Sequence, residues 1–259
     1  MRPRVALGRF LVRLGRFIQS LAVMVMKPDD LVEFNRQTYA RQKSVESWGR
    51  EDLLNSGLDP DEINLLEKVP LKKGKLLVLG VGGGREAIPL SRMGFEITGV
   101  DFVEDLVNSA KDNARKRGIN ISGIVQEISE LAVPADSYDI VLLFSAMYSC
   151  VPTRIRRINM LKRIAHALKP GGYFVCQFHW DKHIGFSRKV EFARKLFALL
   201  SMGNLRYEKG DMLWNNVEFI HAFSSEQELQ SEFEAGGFEI TYINCPKESI
   251  RGGALLRKR

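Results

Sequence analysis

Between Val5 and Met26, apolar and basic residues recur at helical spacing. Phe10, Leu14, Phe17, Ile18 and Leu21 fall along one stripe, and Arg9, Arg13 and Arg16 along another. That two-sided pattern predicts a basic amphipathic helix. Lys27–Val69 reads as further helix, started by Pro28-Asp29-Asp30, continued from Phe34 to Tyr39, and punctuated from Gly57 to Asp61 before Ile63–Val69. The period then changes. Leu76–Leu79 is an unbroken apolar run, as expected of a strand buried on both faces, and Gly80-Val81-Gly82-Gly83-Gly84 follows it directly. Ala87, Leu90 and Met93 return to helical spacing, so this stretch predicts strand, tight turn and helix.

The same alternation continues downstream. Phe95–Val100 is a second strand, and Val103, Leu106, Val107, Ala110 and Ala114 form one apolar helical stripe that Gly118 ends. Ile119–Val125 and Tyr138–Phe144 predict strands three and four, Thr153–Leu168 a helix, and Tyr173–Phe178 a fifth strand after a Pro170-Gly171-Gly172 turn. Gly185–Gly203 inserts a helix with Phe186, Val190, Phe192, Leu196, Phe197 and Leu200 on a wide apolar face. Lys209-Gly210-Asp211 reads as a turn, Val217–Phe223 as a short strand, and Ser224-Ser225-Glu226-Gln227 as the capped start of a last helix. Phe238–Ile243 and Ala254–Leu256 supply the final two strands. Strands alternating with helices predict an α/β fold built on a parallel sheet.

The chemistry concentrates where the first two strands end. Glycines let the backbone adopt angles that side chains forbid and let a ligand lie against the main chain. Asp101, at the end of the second strand and roughly twenty residues past the glycines, stands where an acid accepts ribose hydroxyls. A dinucleotide fingerprint would need a glycine at the position of Arg85, and no Gly-Lys-Ser/Thr follows for a P-loop. The site is therefore suited to a nucleoside without a pyrophosphate.

On these residues the chain resembles the class I S-adenosylmethionine-dependent methyltransferases. The matching stretches are Leu77-Val78-Leu79-Gly80-Val81-Gly82-Gly83-Gly84, Val100-Asp101, Ser137-Tyr138-Asp139-Ile140-Val141 and Leu168-Lys169-Pro170-Gly171-Gly172. The resemblance is close over Leu71–Phe178, weaker over Asn216–Arg257, and absent before Leu71. It implies a three-layer Rossmann-like α/β sandwich with a mainly parallel seven-stranded sheet, an antiparallel last strand and an N-terminal helical extension. Residues 1–70 would form that extension and residues 71–259 the methyltransferase domain, with a helical lid inserted at about 181–216. By the same resemblance S-adenosylmethionine is the methyl donor. Gly80, Val81, Gly82 and Gly84 lie beneath its methionine portion, Asp101 holds the ribose, Phe102, Glu127 and Ile128 frame the adenine, and Ser145 borders the methyl. Pre-core helices of such enzymes close over the cofactor, which makes Tyr39 and Trp48 lining candidates. One departure is Val78, where the family usually carries an acid that anchors the methionine amino group.

Catalytic groups are less plainly marked. Tyr148, just past the fourth strand, and His179, at the end of the fifth, are candidate acceptor contacts because ligands bind at this edge of a parallel sheet. A neutral imidazole there could take a proton. No Asp/Asn-Pro-Pro-Tyr signature follows the fourth strand, and Cys150 precedes Val151-Pro152 instead of following a proline. Those features set aside amine-methylating and cytosine-methylating sites of nucleic-acid enzymes. Neither a metal cluster nor a zinc spacing is expected.

Charge narrows the partners. Arg2, Arg4, Arg9, Arg13, Arg16 and Lys27 carry all but one of the net charge of +7, and no acid precedes Asp29. The rest of the chain is nearly neutral, which argues against a broad nucleic-acid face. Three readings stay open for the basic helix: a peripheral membrane contact through residues 5–26, a helix folded back on the domain or used between copies, and a targeting arm. Cys150, Cys176 and Cys245 are few and widely spaced, which suits reduced thiols and a cytoplasmic protein. The leading expectation is methyl transfer to an oxygen or nitrogen of a small, lipophilic acceptor. The alternatives are a catalytically silent cofactor-binding scaffold, favoured by Val78, and an RNA-modifying enzyme, favoured by the basic arm.

Overall fold

The computed structural model describes residues 2–185, 187–215 and 217–259, with Arg16 described through its backbone alone. Phe186 and the Arg16 side chain, both assigned above to helix faces, lie outside the described residues. Helix α1 (Pro3–Val25) is followed by four shorter helices, α2 (Pro28–Tyr39), α3 (Gln42–Trp48), α4 (Glu51–Ser56) and α5 (Pro60–Glu67). Proline sits at the first position of α2 and α5, where its missing N–H costs nothing. The start of α5 is tightened by Glu62, whose carboxylate accepts the Asp59 N–H at 2.8 Å.

The body then alternates β1 (Gly74–Leu79), α6 (Ala87–Arg92), β2 (Phe95–Asp101), α7 (Glu104–Arg115), β3 (Ser122–Val125), β4 (Tyr138–Leu143), α8 (Arg154–Ala167) and β5 (Leu168–His179). After it come α9 (Arg188–Leu200), a ribbon of β6 (Asp211–Trp214) and β7 (Glu218–His221), α10 (Glu226–Ala235), β8 (Phe238–Asn244) and β9 (Arg251–Lys258). Seven strands form one sheet in the order β3-β2-β1-β4-β5-β9-β8. Only the last, β9, runs antiparallel to its neighbours β5 and β8.

The two-faced burial read from the apolar runs is realised in alternate residues. Leu77, Leu79, Val141 and Leu143 face one core with Leu161 and Ile164 of α8 and Phe233 of α10. Leu76, Val78, Ile140 and Leu142 face the other, with Leu65 of α5, Ile88 of α6 and Ala110 of α7. Each fully buried aliphatic side chain contributes about 1.5–3 kcal/mol, so the sheet is the rigid floor on which the loops at its carboxyl edge are mounted.

Three local expectations differ. The Pro170-Gly171-Gly172 segment is part of β5, because Leu168 pairs with Tyr138 and a register shift before the Ile140–Tyr173 pair absorbs the extra residues. Asp211 is the first residue of β6, paired with His221, where a turn was expected. Met93 caps α6 in an exposed position and does not join its apolar face.

Candidate active site

Beyond Leu79 the chain leaves the sheet through a bend held by β2, since the Val100 carbonyl accepts the N–H groups of Gly80 (2.7 Å) and Val81 (2.9 Å). Gly80 and Gly82 have φ of +70° and +51°, the left-handed region that favours glycine. A β-carbon on Gly83 would come within 2.1 Å of the Trp48 carbonyl oxygen, so α3 can seat on the bend only because that position is glycine. Asp101 ties the two strand ends together. One of its carboxylate oxygens accepts the Gly82 N–H and the other the Val103 N–H, each at 3.1 Å. Burial raises its pKa to about 6 against the pull of those donors.

A cleft with about 1220 Å³ of space, including its open mouth, lies over this edge. Gly80, Val81, Gly82, Asp101, Phe102, Glu127, Ile128 and Ser145 all border it, with Tyr39 and Trp48 across from them. Gly84 does not border it; it rests against Ala110 of α7. Glu127 is already engaged by the Ser129 N–H at 2.9 Å and lies 3.7 Å from Arg156. Ser145 and the next residue, Ala146, have φ of +55° and +57°, a strained geometry concentrated where β4 meets the cleft. The Gln177 side chain accepts the Ser145 N–H at 2.9 Å and holds it there.

Two candidates are placed elsewhere. Tyr148 is fully buried, stacks on Phe223 and donates its hydroxyl to Glu232 at 2.7 Å, so it belongs to the core and does not reach the acceptor. Its apolar neighbours outside the parallel sheet could not be read from local sequence. His179 packs beside Trp214 without bordering the cleft, and burial together with Arg251 lowers its pKa to about 4. It is a neutral ring next to the site. No described residue of α9, the helix of the expected lid, borders the cleft.

Residues the sequence reading passed over fill those places. Asn35 of α2 accepts the Phe219 N–H at 2.7 Å and donates to the Phe219 carbonyl at 3.3 Å, which clamps α2 onto β7 across the cleft. The ribbon then delivers Glu218, which accepts a short hydrogen bond from the Tyr39 hydroxyl and lies 4.0 Å from the Cys150 sulfur. Burial raises the Glu218 pKa. At the other end, buried Arg85 forks onto Glu62 at 2.6 and 2.9 Å, touches Glu86, and reaches the Ser145 hydroxyl at 3.3 Å. Burial lifts Glu86 from its ordinary value near 4.5 to about 7. In the sequence Arg85 is marked only by standing where a dinucleotide fingerprint has glycine. Its long-range partners carry no local signal.

The fold and the cleft define a nucleoside-binding α/β protein of the Rossmann-like, three-layer kind. Residues 76–172 match the model of a family described as a methyltransferase domain. A ubiquinone biosynthesis O-methyltransferase of Coxiella burnetii is 34% identical over 187 residues, covering 72% of this chain and 73% of that protein. One of the same description from Sinorhizobium fredii is 27% identical over 214 residues, covering 82% and 74% respectively. A solved S-adenosylmethionine-dependent methyltransferase of Methanosarcina mazei superposes with a TM-score of 0.59 at 24% identity, over 78% of this chain and 98% of that one. The chain belongs to the class I S-adenosylmethionine-dependent methyltransferases and is an enzyme that uses S-adenosylmethionine as its methyl donor. The silent-scaffold alternative, which rested on Val78, gives way to these matches. The residues present fit the donor: a glycine-rich bend offers main chain at the cleft, and a buried carboxylate retains acceptor capacity after its two backbone bonds.

Proposed function

We propose that the methyl group goes to a hydroxyl oxygen of a small lipophilic molecule, in keeping with relatives named for O-methylation in ubiquinone biosynthesis. The observation that supports this most is Glu218. It is a carboxylate set among Tyr39, Cys150, Met147 and Val151 along the apolar wall of the cleft, with a pKa raised by burial. A desolvated carboxylate is a stronger base than one in water, which suits taking a proton from a phenol-like hydroxyl. Gly80, Val81 and Gly82 would lie under the methionine portion, Asp101 would accept the ribose hydroxyls, and Phe102, Glu127 and Ile128 would border the adenine.

When bound, S-adenosylmethionine supplies a methyl group activated on a sulfonium. The chain's part is to hold the acceptor oxygen in line with it and to keep water out. Glu218 would take the hydroxyl proton, so that the acceptor oxygen could bond to the methyl carbon that the sulfonium would give up while its sulfur kept the electron pair. Tyr39, donating to Glu218, fixes the orientation of the carboxylate. With hydroxylated aromatics bearing an alkyl tail as acceptors, Glu218→Gln is expected to lower kcat by about 10²–10⁴ while donor affinity by calorimetry stays unchanged. An unaltered kcat would remove Glu218 from the chemistry. Failure of the unsubstituted enzyme to methylate any hydroxyl acceptor, while amines react, would overturn the oxygen assignment.

A further inference from the structure

Helix α1 is anchored at one end only. Val23 and Met24 are fully buried in a small core with Leu31, Ala198 of α9 and Phe219 of β7, and the Asn204 N–H closes on the Met24 carbonyl at 2.7 Å. Toward its amino end the burial stops: Leu7, Phe10 and Leu11 are 59%, 58% and 55% exposed. Beside it, α9 buries Arg194 and Ala198 and turns Phe192 and Leu200 outward, 70% and 73% exposed, with Met202 past its end at 82%. Apolar side chains of this size, exposed on two helices that pack on each other and absent from the cleft, mark a surface made for a partner.

Charge selects the partner. The exposed arginines Arg2, Arg4, Arg9 and Arg13 surround the α1 stripe, no acid lies on that helix, and Arg188, Lys189 and Lys195 flank the stripe on α9. A second copy would set one all-positive helix against another with no acid on it to pair. An anionic bilayer complements both properties, taking the apolar side chains at the headgroup boundary and the cations among the phosphates. No helix among the described residues is long and apolar enough to cross a membrane, so the contact is in the plane.

We propose that α1 and the outer face of α9 form one docking surface for an anionic lipid membrane. Only Met26 and Lys27 separate α1 from α2, which brings Val32, Asn35 and Tyr39 to the cleft, so the docked helix leads directly into the cover of the active site.

The test uses the full chain, co-sedimented with vesicles of phosphatidylcholine alone or mixed equally with phosphatidylglycerol. Binding to the mixed vesicles that weakens as salt is raised, and that Phe10→Glu and Phe192→Glu each reduce by about tenfold or more, supports the proposal. Both side chains are exposed and outside the cleft, so unchanged thermal unfolding and donor affinity verify that each variant is folded. No binding to the mixed vesicles, equal binding to phosphatidylcholine alone, or indifference to both substitutions overturns it. Sensitivity to Phe10→Glu without sensitivity to Phe192→Glu overturns the two-helix surface. A dimer in sedimentation velocity that Phe10→Glu dissociates, without vesicle binding, assigns the face to a second copy instead.

Discussion

Asp101 does two jobs with one carboxylate. It closes the glycine bend onto β2 through the Gly82 and Val103 N–H groups, and it borders the cleft with lone pairs to spare. Asp101→Ala removes a charged acceptor from both, so donor affinity measured by calorimetry is expected to fall about 10–100-fold, with a smaller loss for Asp101→Asn. Glu86 offers a different kind of handle. The usual acid before the bend is replaced by Val78, which is buried in the apolar layer between the sheet and α6 and cannot meet an ammonium group. Around Arg85, by contrast, Asp59, Glu62 and Glu86 place three carboxylates against one guanidinium at the Ser145 end of the cleft. With a pKa raised to about 7, Glu86 is protonated below that pH in the free protein and charged above it. Donor affinity is therefore expected to rise with pH up to about 7 and then level off. In Glu86→Gln the part of the rise centred near pH 7 should vanish, leaving the part that Asp101 contributes near pH 6; persistence of the full rise would exclude Glu86 as a source. Asp101 was legible from the sequence because a strand end and a glycine turn fix its place. Glu86 was not, since an acid opening a helix looks like an ordinary partner for the helix dipole until Arg85 is seen folded back across it.

At the level of elements, the strands buried on both faces announce themselves. Leu76–Leu79 and Tyr138–Phe144 have no competing period, and the structure places strands there. The β6–β7 ribbon is different, because neither strand is held by its own pattern. What fixes it is a set of buried charges on residues far apart in the chain. Arg157 of α8 bonds Glu232 of α10 at 2.7 Å and Glu208 before the ribbon at 2.8 Å, while His221 of β7 meets Asp211 of β6 at 2.8 Å. Burial alone would lower the His221 pKa, but Asp211 on one ring nitrogen and Glu228 on the other together outweigh it and lift the value to about 9. The folded state thus keeps a proton that the unfolded histidine releases near 6.5. Stability from this pair is full below about pH 6.5 and is lost as the pH rises through about 9. Thermal unfolding followed from pH 6 to pH 10 should show a fall in Tm that His221→Gln lacks, and a parallel fall in both proteins would place the titration elsewhere. Because Glu218 rides on this ribbon, the same titration should loosen the acceptor wall before the rest of the fold.

For the whole molecule, the uneven charge and the uneven burial describe one design. Four of the seven excess positive charges sit on α1 and two more, Arg2 and Lys27, flank it; the carboxyl end of the helix is part of the body and its amino end is not. The sequence showed the amphipathic stripe but not this division, because periodicity is the same where a helix is packed and where it is bare. The tertiary partners of Val23 and Met24, at Ala198 and Phe219, lie some 170–200 residues away in the chain. Two truncations separate the halves. Starting the chain at Gly15 removes, among the described residues, only exposed or half-exposed side chains and is expected to move Tm by no more than about 2 °C. Starting it after Met26 takes away two fully buried side chains worth about 3–6 kcal/mol together and uncovers the base of the ribbon, so Tm should fall by at least about 5 °C. Because the same small core positions β7, the longer truncation should also lower kcat through Glu218, whereas the shorter one should leave turnover on a water-soluble acceptor intact. Equal loss of stability in the two would mean that the amino-terminal turns also pack on the body, and would place the exposed stripe of α1 within the fold.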